Sequence, residues 1–165
     1  MTKRPTSDAE APAARRAQPI DDIMQLESFI SFRISVLAKL LDRRLARLVG
    51  DQFGLALAEY RVLAQVAMRP RSTVRAIAAA TYVDKAQVSR SVAALEERGL
   101  IARAMSDTDR RSPEFTATRA GKALMNKIIP LRQAQERQIA SRLGRSDLNA
   151  LTSALTTLIK DLADT

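Results

Sequence analysis

The chain has 165 residues, and its 27 lysines and arginines outnumber its 18 aspartates and glutamates, giving a formal net charge of +9. Hydrophobic residues make up 46% of it, which predicts one folded domain and argues against a disordered polycation. Histidine and cysteine are absent, which excludes disulfides, thiolate nucleophiles, imidazole bases and metal sites built on these ligands. No apolar run approaches the roughly 18 residues of a membrane span, and residues 1–19 lack the apolar core of a secretory signal. We therefore expect a cytoplasmic protein without membrane contact.

The positive charge is spread along the chain. The largest local excess, +3, falls in residues 122–165, and the other segments carry +1 or +2. A generally basic, solvated surface explains this distribution as well as a nucleic-acid site does. A binding face has to be located from residue patterns instead.

The N-terminal half predicts a tail followed by two helices. Residues 1–20 hold three of the six prolines and few apolar residues except alanine, which predicts a flexible tail. From Ile23 the apolar residues recur at helical spacing, so we expect a helix of about seven turns that Gly50 ends. Leu55 to Met68 predicts a second helix, ended by the turn at 69–71. Its inward residues are expected to be Tyr60, Leu63, Ala64 and Ala67.

Two compact helices and a hairpin follow. The helices are expected at Thr73–Ala80 and Lys85–Arg98, with Asp84 as N-cap of the second and Gly99 closing it. The short segments 100–105 and 113–117 flank a polar stretch, which predicts a β-hairpin.

Two further helices are expected at the C-terminus. Thr118 is placed to cap a long helix that runs toward Leu143 and Gly144, with Pro130 bending it rather than ending it. Ser146 starts the last helix. Its leucines step by three and four, a narrow seam typical of helix packing: Leu148, Leu151, Leu155, Leu158 and Leu162.

The order of the central elements predicts a winged helix-turn-helix, whose second helix can enter the major groove of DNA. In this helix Val88, Val92 and Leu95 share an inward face. The opposite face is small and polar, which suits close approach to base edges: glutamine can be bidentate to adenine, and arginine can bind guanine or a phosphate. The alternative is an ordinary solvated helix face. The candidate DNA-contacting residues are Lys85, Ala86, Gln87, Ser89 and Arg90.

The tip of the hairpin supplies a second candidate contact. One of Arg110 and Arg111 would reach the minor groove while Asp109 pairs with and orients the other. The alternative is a charged, soluble turn.

These residues together resemble the MarR-type (multiple antibiotic resistance regulator) transcription factors. The resemblance runs from about Leu55 to Leu124 and rests on the order and spacing of five segments. They are Tyr60-Arg61-Val62-Leu63, the run from Val83 to Arg90, the run from Leu95 to Ile101, the wing from Asp107 to Arg111, and Thr118-Arg119-Ala120-Gly121. It implies a homodimer on a pseudo-palindromic operator, with recognition helices in successive major grooves and wings in the flanking minor grooves. It also implies a pocket between the DNA-binding lobe and the dimer helices for small aromatic or phenolic anions.

The predicted fold is mainly α with a small β-hairpin wing, a winged helix-turn-helix flanked by long dimerisation helices. Residues 1–20 form the tail, 21–50 the N-terminal dimerisation helix, 51–121 the DNA-binding lobe and 122–165 the C-terminal dimerisation part. The leucine seam of the last helix could pack inside one subunit against the first helix. We favour a subunit interface, because palindromic DNA readout needs two-fold symmetry.

The function expected from the sequence is a homodimeric repressor that binds double-stranded DNA and is released by a small aromatic ligand. No catalytic residues, cofactor or metal are expected, and an enzyme is the weakest reading. The alternatives are an architectural DNA-binding protein with little sequence specificity, and a winged-helix module for protein partners. The pocket residues stay open: Tyr60, Arg33, Arg43 and Arg90 are possible contacts, but packing or solvent exposure explains each better.

Overall fold

The computed structural model describes residues 27–104 and 113–163, which are mostly helical with one three-stranded antiparallel sheet. The predicted fold class, mainly α with a winged helix-turn-helix, is confirmed. The predicted tail and the wing tip lie outside the described residues. The elements are α1 (Ile30–Phe53), α2 (Leu57–Met68), β1 (Ser72–Thr73), α3 (Val74–Thr81), α4 (Lys85–Glu97), β2 (Ile101–Ala104), β3 (Glu114–Ala117), α5 (Arg119–Ala140) and α6 (Arg145–Ala163).

The chain divides into two compact units, residues 1–41 and 42–165, with the boundary inside α1. In the first unit the prediction of a continuous helix from Ile23 is wrong for residues 27–29, which form a 3₁₀ turn and a bend before α1. The carbonyl of Glu27 accepts a hydrogen bond from Nε of Arg33 at 3.0 Å. The spacing of apolar residues carries no information about this side-chain hydrogen bond. The start predicted for the helix was therefore too early in the sequence.

The second unit begins with the end of α1, which lies one turn beyond the predicted stop at Gly50. α1 continues to Phe53, which packs against the core, and Gly54 then takes a positive φ of 61°. The N–H groups of Gly54 and Leu55 donate to the carbonyls of Gly50 and Val49 at 2.9 and 3.1 Å. The left-handed turn that ends the helix therefore falls at the second of two glycines.

The predicted bounds and inward face of α2 also need correction. Leu55 is buried in the turn before the helix, and the backbone N–H of Ala56 donates to Oε2 of Glu59 at 3.0 Å. Leu63 is buried as predicted. Val62 and Val66 are also fully buried, whereas the predicted inward residues Tyr60, Ala64 and Ala67 are only partly buried at the edge of the core.

The sheet contains the predicted hairpin and one strand more. β2 and β3 pair antiparallel with Ile101 opposite Ala117, and β1 adds to the other side of β3, giving the order β1-β3-β2. Phe115 in the central strand is 1% exposed. β1 has only two residues, and an alternating pattern of polar and apolar residues cannot be recognised over so short a strand.

The last two helices follow the prediction closely. Thr118 caps α5, and the helix continues through Pro130, but it ends at Ala140, three residues before Leu143, in a turn. α6 starts at Arg145, one residue earlier than predicted, and none of its residues is buried.

Candidate nucleic-acid interface

Three residues connect α3 and α4, and each end of this connection is set by a local feature. Oγ1 of Thr73 accepts from the N–H of Ala76 and starts α3, and Tyr82 ends it in the left-handed region at φ 53°. Oδ1 of Asp84 then accepts from the N–H groups of Ala86 and Gln87 at 2.9 and 3.1 Å. Asp84 is the N-cap predicted from the sequence, and the result is a helix-turn-helix.

The inward face of α4 fixes the rotation of the helix. Val88, Val92 and Leu95 are at most 3% exposed, as their spacing predicts. Ser91 is also buried, which was not predicted from the sequence. Its Oγ has no hydrogen-bond partner within the part of the chain that the structure describes. This packing leaves the opposite face of α4 to solvent.

The five residues predicted on this helix to contact DNA lie together on its first two turns. Lys85, Ala86, Ser89 and Arg90 are exposed and Gln87 is partly exposed. The hydroxyl of Ser89 donates to the carbonyl of Lys85 at 3.0 Å, and the guanidinium of Arg90 donates to Oε1 of Gln87 at 2.7 Å. We name this surface, formed by Lys85, Ala86, Gln87, Ser89 and Arg90, the presented face.

The electrostatics of the presented face favour an anionic partner. It carries the cations Lys85 and Arg90, and the nearest acid in sequence, Asp84, accepts from two backbone N–H groups. Further along α4, Glu96 pairs with Arg103. The positive end of the helix dipole adds to the attraction for an anion at this end of α4.

The stem of the wing is tied to α4 by Arg103 of β2. Its Nε and Nη2 donate to the two carboxylate oxygens of Glu96, both at 3.2 Å, and its guanidinium lies 5.5 Å from the ring centroid of Phe115. The wing-tip residues predicted to contact DNA, Asp109, Arg110 and Arg111, lie outside the described residues. The structure thus places the base of the wing only.

Two arginines that the sequence reading did not single out hold the lobe together. Nε of Arg71 donates to Oε2 of Glu114 at 2.6 Å, which joins the residue before β1 to the start of β3. Arg98, just after α4, donates to the carbonyls of Gly54 and Phe53 at 3.0 and 3.3 Å and to Oε2 of Glu59 at 3.2 Å. These partners are 39 to 45 residues away in sequence, so no local pattern could have identified them.

A second feature of the lobe is a cleft of about 360 Å³ between α2 and α5. Most of its lining is apolar, and Tyr60, Lys122 and Asn126 supply the polar groups. Its complete lining is Tyr60, Ala64, Ala67, Met68, Lys122, Met125, Asn126 and Ile129. It can hold a small apolar molecule with an anionic end beside the Lys122 ammonium.

The helix-turn-helix followed by a β-hairpin shows that the chain has a winged-helix fold. Comparison with known proteins shows which winged-helix proteins it is similar to. The MarR family model matches residues 53–112. A protein of Thauera aromatica, "Putative transcriptional regulatory protein for hcr operon", is 29% identical over 123 residues, 74% of each chain.

Solved structures share the fold. A MarR/EmrR family transcriptional regulator from Acinetobacter sp. ADP1 superposes with a TM-score of 0.74 at 22% identity, over 90% of this chain and 100% of that one. The S. aureus MepR–DNA complex gives 0.71 at 18% identity, over 81% and 98%. The chain is thus similar to MarR-family regulators in sequence over residues 53–112 and shares the fold of solved members of that family.

Within residues 27–104 and 113–163, none of the helices is both long and apolar enough to span a bilayer.

Proposed function

We propose that the protein is a homodimeric, sequence-specific repressor that binds a pseudo-palindromic operator and releases it when a small organic ligand binds. The presented face of α4 carries this proposal, because it combines small side chains, hydrogen-bonding groups and two cations at the start of a helix. The lobe, residues 51–121, would bind DNA, and residues 21–50 and 122–165 would form the dimer.

The presented face would enter the major groove, which is wide enough for an α-helix. Ala86 and Ser89 permit close approach, while Lys85, Gln87 and Arg90 supply donors for base edges and phosphates. The wing would lie over the flanking minor groove, with one of Arg110 and Arg111 inserted and Asp109 orienting the other. DNA binding would then consist of one major-groove and one minor-groove contact for each subunit.

A second copy of the chain is the proposed partner of the long terminal helices. α6 has no buried residue, and Leu151, Leu158 and Leu162 are 39, 39 and 77% exposed. The first unit also exposes large apolar side chains, at Phe29, Ile30, Phe32, Ile34, Val36, Leu37, Leu40 and Leu41. Apolar surface on this scale is typical of a protein interface, and a two-fold dimer would match a palindromic operator.

The cleft between α2 and α5 is the proposed ligand site. Its volume, about 360 Å³, suits a small aromatic molecule. Lys122 would bind the anionic group, and Tyr60 and Asn126 would orient the ring substituents. Because α2 belongs to the lobe and α5 leads out of it, a ligand between them would change the spacing of the two lobes and weaken DNA binding.

The experiment that tests DNA recognition is a selection of binding sites from genomic fragments, followed by gel-shift titrations of a selected site and of random DNA over a range of salt. We expect the selected site to be palindromic and to bind at least about 10³-fold more tightly than random DNA, with both affinities falling as salt rises. Equal affinity for both DNAs at every salt concentration would reject the proposal and support an architectural protein.

Release by ligand needs its own titration. Benzoate, salicylate and 4-hydroxybenzoate are added to the protein bound to its selected site, and we expect at least one to release the DNA. Lys122→Met should abolish this response while leaving operator affinity intact. Release that persists unchanged in Lys122→Met would exclude the cleft as the site.

A further inference from the structure

Arg90 differs from three other exposed arginines of the lobe in the kind of group that it contacts. Arg71, Arg98 and Arg103 each pair with a carboxylate, of Glu114, Glu59 and Glu96 respectively. Arg90 forms no ion pair within residues 27–104 and 113–163. Its guanidinium is instead held by the neutral amide of Gln87, at 2.7 Å.

A neutral partner has a consequence for binding. A carboxylate would orient Arg90 but would also neutralise its charge toward an anion. The amide of Gln87 orients the guanidinium, one turn along the same helix, and leaves its positive charge free. The pair is therefore built to present a fixed cation to a partner rather than to stabilise the fold.

The anchoring of Gln87 makes this orientation firm. Its backbone N–H donates to Oδ1 of Asp84 at 3.1 Å, and the next residue, Val88, is fully buried. Gln87 is itself partly buried, whereas Arg90 is exposed. The backbone of Gln87 is thus fixed at the start of α4, and its less exposed side chain is the partner to which the long side chain of Arg90 is bound.

The chemistry of the contact decides which base this pair can read. Arginine has donors only, so the atom of Gln87 that faces it is the carbonyl oxygen. A bidentate contact of glutamine with adenine needs that same oxygen, to accept from the adenine amino group. Arg90 takes up one of the two lone pairs of that oxygen, so donors dominate what the pair presents: the remaining N–H groups of Arg90 and the amide NH₂ of Gln87.

A surface dominated by donors fits guanine, which presents two acceptors, O6 and N7, in the major groove. Adenine presents only one acceptor, N7, beside its amino donor, and therefore fits a surface dominated by donors less well. We propose that Gln87 is a positioning residue that directs Arg90 at a guanine in each half-site, and that Gln87 reads no adenine itself. This inference rests on the proposed function, because it assigns the base specificity of the presented face.

A double-mutant cycle on operator DNA tests the inference. Wild type, Gln87→Met, Arg90→Ala and the double variant are compared on the selected site and on sites in which each base pair is changed in turn. Gln87→Met keeps the length of the side chain and removes the hydrogen bond. Thermal melting of all four proteins checks that the fold is unchanged.

We expect Arg90→Ala to lower discrimination at one guanine by about 5- to 150-fold, the range for a bidentate base contact. Gln87→Met should lower discrimination at that same guanine, and it should add nothing once Arg90 has been removed. Loss of discrimination at an adenine in Gln87→Met, independent of Arg90, would overturn the inference and leave the proposed function intact. Failure of the wild type to prefer any site would instead reject the proposed function.

Gln87→Glu gives an independent readout. A carboxylate at this position still orients Arg90 but neutralises it, as in the other pairs of the lobe. We expect affinity for operator and random DNA to fall together while the guanine preference survives. Loss of the preference itself would contradict a positioning role, because the acceptor oxygen is still present.

Discussion

Tyr82 is the residue at which the turn of the helix-turn-helix becomes left-handed. It has φ 53° and ψ 30°, and its side chain is 80% exposed. For a residue with a Cβ this conformation costs about 1–2 kcal/mol, whereas glycine adopts it freely. The exposed ring contributes too little packing to offset this cost.

We therefore predict that Tyr82→Gly raises the free energy of unfolding by about 1 kcal/mol, measured by urea denaturation. Tyr82→Ala is the matched control, because it removes the ring but keeps the Cβ. It should give little or no gain. An equal gain from alanine and glycine would show that removal of the ring, and not relief of the backbone, is responsible.

Residue-scale features were predictable where their cause is local. The Asp84 cap and the Gly99 stop follow from side-chain oxygens and backbone freedom within one turn of chain, and both are present. Gly50 was predicted to end α1 because it is the first glycine after the apolar pattern. The helix instead continues to Phe53, whose side chain packs against the core. The contact between Arg90 and Gln87 depends on rotamers, which spacing alone does not determine.

At the scale of elements, the start of α5 is pressed against the backbone that leads into β2. Oγ1 of Thr118 donates to the carbonyl of Gly99 at 2.7 Å, and the N–H of Gly121 donates to Oγ1 of Thr118 at 3.1 Å. A Cβ on Gly121 would lie 2.0 Å from the carbonyl oxygen of Leu100. Only glycine allows the helix to lie this close to the strand.

Gly121→Ala should consequently destabilise the lobe by at least about 3 kcal/mol, the upper end for overpacking, because the obstructing atom belongs to the backbone and cannot rotate away. Gly50→Ala is the control: it lies inside α1, its Cβ would meet nothing closer than 3.8 Å, and it should stabilise by about 0.5–1 kcal/mol. Urea denaturation of both variants measures the difference. Equal effects at the two positions would contradict the close approach of α5 and β2.

The order and type of the elements were largely predictable, because each long helix and the hairpin carry a clear period and local caps. The inward face of α2 was not, because Val62 and Val66 are buried by contacts that come from distant parts of the chain. β1 and the arginine contacts of the lobe were missed for the same reason. For the candidate site, the sequence indicated which residues of α4 lie on its outward face, but not the bond between Gln87 and Arg90.

At the scale of the whole molecule, the net charge of +9 and the apolar terminal helices have separate roles. The charge is spread along the chain, so it would attract DNA of any sequence at long range, while the presented face would select the site. The five leucines of the α6 seam step by three and four, and none is buried. In the proposed dimer, a second subunit would cover that seam and place a second recognition helix on the same operator.

We predict that Leu158→Glu in the α6 seam converts the proposed dimer to a monomer, because a carboxylate buried at an apolar interface without a partner is strongly unfavourable. Sedimentation velocity measures the assembly state, and gel shifts on the full palindrome and on a single half-site measure its effect on DNA. Affinity for the palindrome should fall to that for the half-site, because the two lobes are no longer linked. Asn149→Glu, an exposed polar position of the same helix, introduces the same charge and should remain dimeric with full operator affinity. If Leu158→Glu sediments as the wild type does and binds the palindrome equally well, the α6 seam is not the subunit interface.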